Sequence, residues 1–84
     1  MHEMGIASSI LEAVQQEVNR YPGHRAARVA VRIGQFAGVD SESLQFCFEA
    51  IIKDSPAAPL ELAVERTAGD ELDLGTLELE EIAA

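Results

Sequence analysis

The chain has 84 residues, of which 48% are hydrophobic and 25% are charged, so we expect one small folded domain rather than a disordered chain. Fifteen acidic residues against six basic ones give a formal charge of −9, which excludes nucleic acid as a favoured partner because phosphate binding needs a basic surface. The apolar runs are too short to span a membrane, and residues 1–18 lack the basic start of a signal peptide. The cytoplasm is therefore the expected location.

The first part of the chain is predicted to form an amphipathic helix from about residue 4 to about residue 20. Its apolar positions recur every four residues, as one stripe of a helix requires, and they are Ile6, Ile10, Val14 and Val18. Because proline cannot continue a helix and glycine permits a turn, Tyr21-Pro22-Gly23 is predicted to end it.

A strand is predicted next, in the segment ARVAVRIG. Its residues alternate in character, which places Val29, Val31 and Ile33 on one face of a half-buried strand. The glycine-bounded segment GQFAG is then expected to form a loop.

A second helix is predicted to start after Asp40, whose carboxylate can accept a hydrogen bond from the amide of Glu42 or Ser43. It is expected to end near Asp54, and its apolar face comprises Leu44, Cys47, Phe48, Ile51 and Ile52. All three phenylalanines are interpreted as packing residues rather than as a ligand pocket: Phe36, Phe46 and Phe48.

Two further strands are predicted near the end of the chain. Alternation in LELAVE places Leu60, Leu62 and Val64 on one face. In ELDLGTLELEE the alternation slips by one residue at Gly75, and a β-bulge there would return all four leucines to one face. The glutamates of this last segment are expected on the wet face and tail of an edge strand.

The order of these elements predicts an α+β fold, with two helices packed on one face of a three-stranded sheet. If the last two strands pair as an antiparallel hairpin, Ala68-Gly69-Asp70 must supply the turn. A strained turn at that place would favour exchange of the terminal strand between two chains, so both a monomer and a strand-swapped homodimer remain open.

The amino terminus carries the strongest candidate for a metal site. A free α-amine titrates near ~7.7–8.0, so a metal can displace its proton near neutral pH. The amide and imidazole of His2 follow the Met1 amine directly, and Glu3 adds an oxygen ligand. Such a nitrogen-rich set suits square-planar Ni(II) or Cu(II). The alternative interpretation of the same residues is a solvated chain terminus.

Three segments of the sequence form a further pattern: MHEMGIASSILEAV, VRIGQFAGVDSESLQFCFEAI and the closing GDELDLGTLELEE. In their order and spacing they resemble the HypA/HybF family of hydrogenase nickel-incorporation proteins, and the resemblance covers residues 1–67 and about 69–81. It implies nickel delivery to the large subunit of [NiFe]-hydrogenase, with the maturation GTPase HypB as a second partner. It also implies that Met1 and His2 hold the nickel, with Glu3 close by.

One part of the family pattern is missing. Members of the family carry two CxxC pairs between their second and third strands, which form a zinc site, whereas here Thr67-Ala68-Gly69-Asp70 joins the two strands directly. The single cysteine, Cys47, cannot build such a site or an intrachain disulfide. We therefore expect a single nickel-binding domain over residues 1–84 with no zinc. Either an engineered deletion or a natural shortened relative would explain the gap, and the clean cut at an exposed loop favours deletion.

No nucleophile–base pair, phosphate-binding glycine loop or pair of buried carboxylates is evident, so enzyme activity is not expected. Two functions follow from the sequence. One is a nickel metallochaperone that binds its metal reversibly, and the alternative is a protein-interaction or scaffold module with no metal function.

Overall fold

A computed structural model describes residues 2–82 of the chain. Its elements, in chain order, are α1 (Glu3–Val18), β1 (His24–Gly34), α2 (Ser41–Ile52), β2 (Glu61–Thr67) and β3 (Leu72–Glu81). The three strands form one mixed sheet in the order β2-β1-β3. The predicted α+β fold is confirmed. Within residues 2–82, no helix is long and apolar enough to cross a membrane.

The core lies between the two helices and one face of the sheet. The strand residues predicted to share a face, Val29, Val31 and Ile33, are all at most 1% exposed. They meet the helices, whose buried residues are Ala7, Ile10, Val14, Leu44, Phe48 and Ile52. Of the predicted α1 stripe, Ile10 and Val14 are buried, whereas Ile6 and Val18 are half-buried. Each Å² of apolar surface removed from water contributes roughly 25 cal/mol to stability. Most of this stabilisation therefore comes from the single layer between the helices and the sheet.

The helices are shorter than the apolar patterns predicted. Helix α1 begins one residue before the predicted start and ends at Val18, because the chain turns at Asn19 and Arg20 before Pro22. Gly23, with φ of 80°, completes that turn in a conformation that glycine tolerates best. Strand β1 then begins at His24, three residues before the predicted segment.

The predicted β-bulge in β3 is confirmed. Val31 pairs with Leu74 whereas Val29 pairs with Leu77, so three steps on β3 span two on β1 and the extra residue falls beside Gly75. This shift keeps both leucines on the helical side of the sheet. A second bulge, which the sequence did not indicate, lies on β1 between Ala26 and Arg28.

The antiparallel hairpin that the sequence left open for the last two strands does not form. Strand β2 pairs parallel to β1, β3 pairs antiparallel to β1, and the two therefore lie on opposite sides of it. The segment 68–71 crosses over the end of β1 instead of turning back on itself. The alternation pattern could not reveal this, because it reports which face a residue occupies and not which strand is its neighbour.

Backbone hydrogen bonds fasten this crossing segment to the end of β1. The amide of Gly34 donates to the carbonyl of Glu71 at 2.7 Å. The amides of Gln35 and Phe36 donate to the carbonyls of Thr67 and Gly69, each at 3.0 Å. The link between β2 and β3 is thus held by the loop that leads into α2.

Two of the three phenylalanines are not packing residues. Phe48 is fully buried as predicted, but Phe36 and Phe46 are 73% and 72% exposed. Phe46 lies two residues from both Leu44 and Phe48 on α2, and this spacing turns it about 160–200° away from them around the helix axis. Aromatic composition alone could not separate these positions.

The other face of the sheet is charged. On this face, arginines of β1 pair with acidic residues of β3. This agrees with the prediction that the glutamates of β3 lie on its solvent-exposed face. The pairs are Arg25–Glu80 at 2.5 Å, Arg28–Glu78 at 3.0 Å and Arg32–Asp73 at 2.8 Å. The hydrogen bond to Asp73 and the surrounding negative charge raise the pKa of Arg32, so its charge persists at all ordinary pH values.

Candidate metal centre

The first turns of both helices meet at one end of the domain. Helices α1 and α2 both run opposite to β1, so their amino termini lie where β1 ends. There the Oε2 atom of Glu3 accepts a hydrogen bond from the backbone amide of Asp40 at 3.1 Å. The positive ends of two helix dipoles converge at this place, and the carboxylate of Glu3 offsets them.

Asp40 caps the second helix as the sequence predicted. Its Oδ1 atom accepts from the amides of Glu42 at 3.0 Å and Ser43 at 3.2 Å. These bonds satisfy two amides that have no partner within the helix. They also fix the Asp40 backbone, whose amide in turn holds Glu3.

Replacement of Asp40 by alanine tests the strength of this cap. We expect Asp40→Ala to lower the free energy of unfolding by about 1 kcal/mol, because two amides of the first turn lose their acceptor. Chemical denaturation measures the loss. Asp40→Asn retains an acceptor and is the matched control, so equal losses in both variants would contradict a role for the cap hydrogen bonds.

His2 occupies the N-cap position of α1. Its backbone is extended, with φ of −90° and ψ of 106°, and its carbonyl accepts from the amide of Ile6 at 3.2 Å. The residue is exposed and its side chain makes no capping hydrogen bond. Amides ahead of the first helical turn have no intrahelical acceptor. The amide and imidazole nitrogens of His2, two of the three nitrogens that the sequence assigned to a metal, therefore lie outside the helix hydrogen-bond pattern.

The predicted ligand set is only partly placed by the structure. Met1 lies outside the described residues, while His2 and Glu3 are adjacent at the start of α1. Across residues 2–82, no group of three or more His, Cys, Asp or Glu side chains is arranged to hold a metal ion. A metal at this end would therefore depend on main-chain nitrogen and on the terminal amine. The contact between Glu3 and the Asp40 amide was not predicted, because 37 residues separate them and no local pattern links them.

The second histidine, His24, and the single cysteine, Cys47, lie away from this end of the domain. The Nδ1 atom of His24 is 3.2 Å from the carbonyl oxygen of Pro22, which occupies that nitrogen within its own turn. Cys47 is half-buried and packs against the core, as its position on the apolar side of α2 predicted.

The sequence model of the HypA family, described as a hydrogenase/urease nickel incorporation metallochaperone, matches residues 1–72. The chain belongs to the HypA family. Similar HypA proteins include the hydrogenase maturation factor HypA of Chlorobium limicola, 43% identical over 68 residues that cover 81% of this chain and 59% of the relative. That of Pelodictyon phaeoclathratiforme is 41% identical over 69 residues, covering 82% and 59%.

The fold is also that of a HypA protein of known structure. The solution structure of the Ni metallochaperone HypA from Helicobacter pylori superposes with a TM-score of 0.66 at 19% identity, covering all of both chains. This likeness concerns the fold alone. The chain spans about three fifths of the length of the curated HypA relatives that it matches.

Proposed function

We propose that this chain is a nickel-binding domain that takes up Ni(II) at its amino terminus for delivery to [NiFe]-hydrogenase during maturation. The ligands are the Met1 amine and the amide and imidazole of His2, with Glu3 close by. The observation that carries the proposal is the N-cap position of His2, whose exposed side chain and extended backbone lie at the start of a chain that the HypA model matches from residue 1.

The chemistry of this ligand set favours nickel or copper over harder cations. Nitrogen donors in sequence form adjacent chelate rings, and d-block ions that prefer square-planar geometry accept them readily. Binding releases protons and is reversible, so the domain carries its metal as cargo and performs no catalysis. The hydrogen bond from Asp40 holds Glu3 at the side of α2, which orients the first turn of α1 and with it His2.

The alternative is a protein-interaction or scaffold module that uses the same fold and binds no metal. Titration of Ni(II) into an untagged sample by calorimetry separates the two functions. Stoichiometric uptake supports the metallochaperone, whereas the absence of any binding supports the scaffold module. A sample with a blocked amino terminus is the control, since acetylation removes the amine and leaves the fold unchanged.

Zinc is not expected to hold this chain together. The buried core is entirely apolar and is drawn from α1, α2, the strands and their flanking loops. We therefore expect a chelator to leave the circular dichroism spectrum and the Tm unchanged. A cooperative melt that disappears with EDTA would show that a structural metal is present after all.

The partners and the assembly are also proposals. The nickel would pass to the hydrogenase large subunit with the GTPase HypB, in the cytoplasm. The chain is a monomer or a homodimer that exchanges β3 about the link 68–71. Light scattering over a wide concentration range distinguishes these states. A slowly dissociating dimer that vanishes when the link is lengthened by Gly/Ser residues would support exchange, and a strict monomer at the highest concentration would exclude it.

A further inference from the structure

Two adjoining pockets that share Ala13 and Leu74 form a groove between α1 and β3 on the helical side of the sheet. The part that begins beside His2 has a volume of about 550 Å³, and a second part of about 540 Å³ extends it past Ala13 and Leu74 to Glu17. The apolar walls and floor of the first part are formed by Ile6, Ile10, Ala13, Val31, Leu72 and Leu74.

The groove leaves apolar surface uncovered. Leu72 and Leu74 lie on the same side of the sheet as the core, yet they are 37% and 40% exposed. Leu77 and Leu79 on the same strand are half-buried and pack against the core. Along the α1 wall the groove has room as well, since a Cβ atom added at Gly5 would meet nothing within 4 Å. The helical layer therefore stops short of the first half of β3.

We propose that an amphipathic helix of a partner protein, apolar on one face and basic along its flanks, docks in this α1/β3 groove beside His2. The inference rests on the proposed nickel function, because it assigns the groove to the protein that exchanges nickel with His2. The α1 wall extends from Gly5 to Glu17, which at 1.5 Å per residue is about 18 Å, or three helical turns of an occupant.

Charge selects a basic occupant. Glu17 lines the groove, and Glu12 adjoins it because it lies three residues from Ser9 on the surface of α1. Arg20 also lines the groove and offsets Glu17 locally, so attraction over distance comes from the net charge of −9. The same charge opposes a second copy of this chain as the occupant.

The form of the occupant follows from the two walls. Pairing of a strand along the outer edge of β3 is disfavoured by the bulge beside Gly75 and by the glutamates that follow it. A helix can instead lie on the exposed leucines, parallel or antiparallel to α1. One end of such a helix reaches His2, where ligands of both proteins can approach a shared metal ion.

The test uses a metal-free sample and two synthetic peptides of about three turns, a length set by the groove. One peptide has leucines on one face and lysines on the other, and the second has glutamates in place of the lysines. We expect the lysine peptide to shift amide resonances of α1 and β3 along the groove in an NMR titration. Its affinity should fall as salt rises from about 50 to about 300 mM, because screening weakens the attraction. The glutamate peptide should not bind.

Two variants with the same charge change locate the contact. Leu74→Glu should weaken binding of the lysine peptide at least about tenfold, because it places a carboxylate in the apolar groove. Phe46→Glu, an apolar-to-acidic change at the more exposed Phe46 on α2, should alter it less than about twofold. A third variant, Ser9→Trp, places a large side chain in the groove from an exposed position on α1. We expect it to abolish binding of the lysine peptide, so the test remains decisive if Leu74→Glu fails to fold.

The outcomes separate this inference from the nickel proposal. Equal losses in Leu74→Glu and Phe46→Glu, resonance shifts confined to the outer edge of β3, or no binding at all would overturn the docking surface, even if nickel binds at His2. Ni(II) titration of Leu74→Glu should remain stoichiometric. Peptide binding in the groove without nickel binding at His2 would overturn the proposed function and leave the docking surface in place.

Discussion

His2→Ala is expected to lower Ni(II) affinity by more than about 100-fold. Removing a residue that only hydrogen-bonds to a metal ligand usually costs less than this, and here a ligand itself is lost. The substitution removes the imidazole, and no other histidine, cysteine or carboxylate group within residues 2–82 forms a cluster that could replace it. His2 is exposed and its side chain makes no capping hydrogen bond, so the fold should be unaffected. Calorimetry at a pH above about 7 measures the change, since protons compete with the metal for the amine below that range.

A residue added before Met1 should be nearly as harmful, because it moves the amine away from the imidazole and breaks the sequence of adjacent nitrogen ligands. His24→Ala is the matched control. It removes the only other histidine, which is the first residue of β1, and nickel binding should be unchanged. Unchanged binding in His2→Ala, or loss of binding in His24→Ala, would place the metal elsewhere.

Gly34→Ala is expected to destabilise the fold on the order of 3 kcal/mol, which for a domain of this size lowers the Tm by roughly 12–24 °C. A Cβ atom at Gly34 would collide with the carbonyl group of Gly69 and lie 2.7 Å from the amide nitrogen of Asp70. Both obstacles are backbone atoms, so neither can rotate away. The link must move, and the hydrogen bond between Gly34 and Glu71 is the first to be lost.

Gly5→Ala is the matched control for this substitution. Gly5 lies within α1 and a Cβ there meets nothing within 4 Å, so alanine should stabilise the domain by about 0.5–1 kcal/mol through its higher helix propensity. Thermal and denaturant unfolding compare the two variants. If the collision with the link is the cause, two residues inserted between Ala68 and Gly69 should recover part of the loss in Gly34→Ala. Equal stability of Gly34→Ala and the unchanged chain would contradict the close contact.

The sequence alone determined the elements and the face that each one buries. Period-four apolar residues fixed the α1 stripe, and period-two residues fixed the buried face of β1. The cap at Asp40 and the bulge at Gly75 were also predictable, because each depends on residues only a few positions apart. The start of the chain likewise suggested the proposed metal site, since the nitrogen ligands proposed there are adjacent in sequence and need no help from the fold to come together.

Only the tertiary structure decided how these elements lie beside one another. The placement of β2 and β3 on opposite sides of β1, the close contact between Gly34 and Gly69, and the bond from the Asp40 amide to Glu3 all join residues far apart in the chain. Alternation records a face and not a neighbour, so it also predicted burial for Leu72 and Leu74. These two leucines remain partly exposed because α1 does not extend over the start of β3, and the α1/β3 groove exists for that reason.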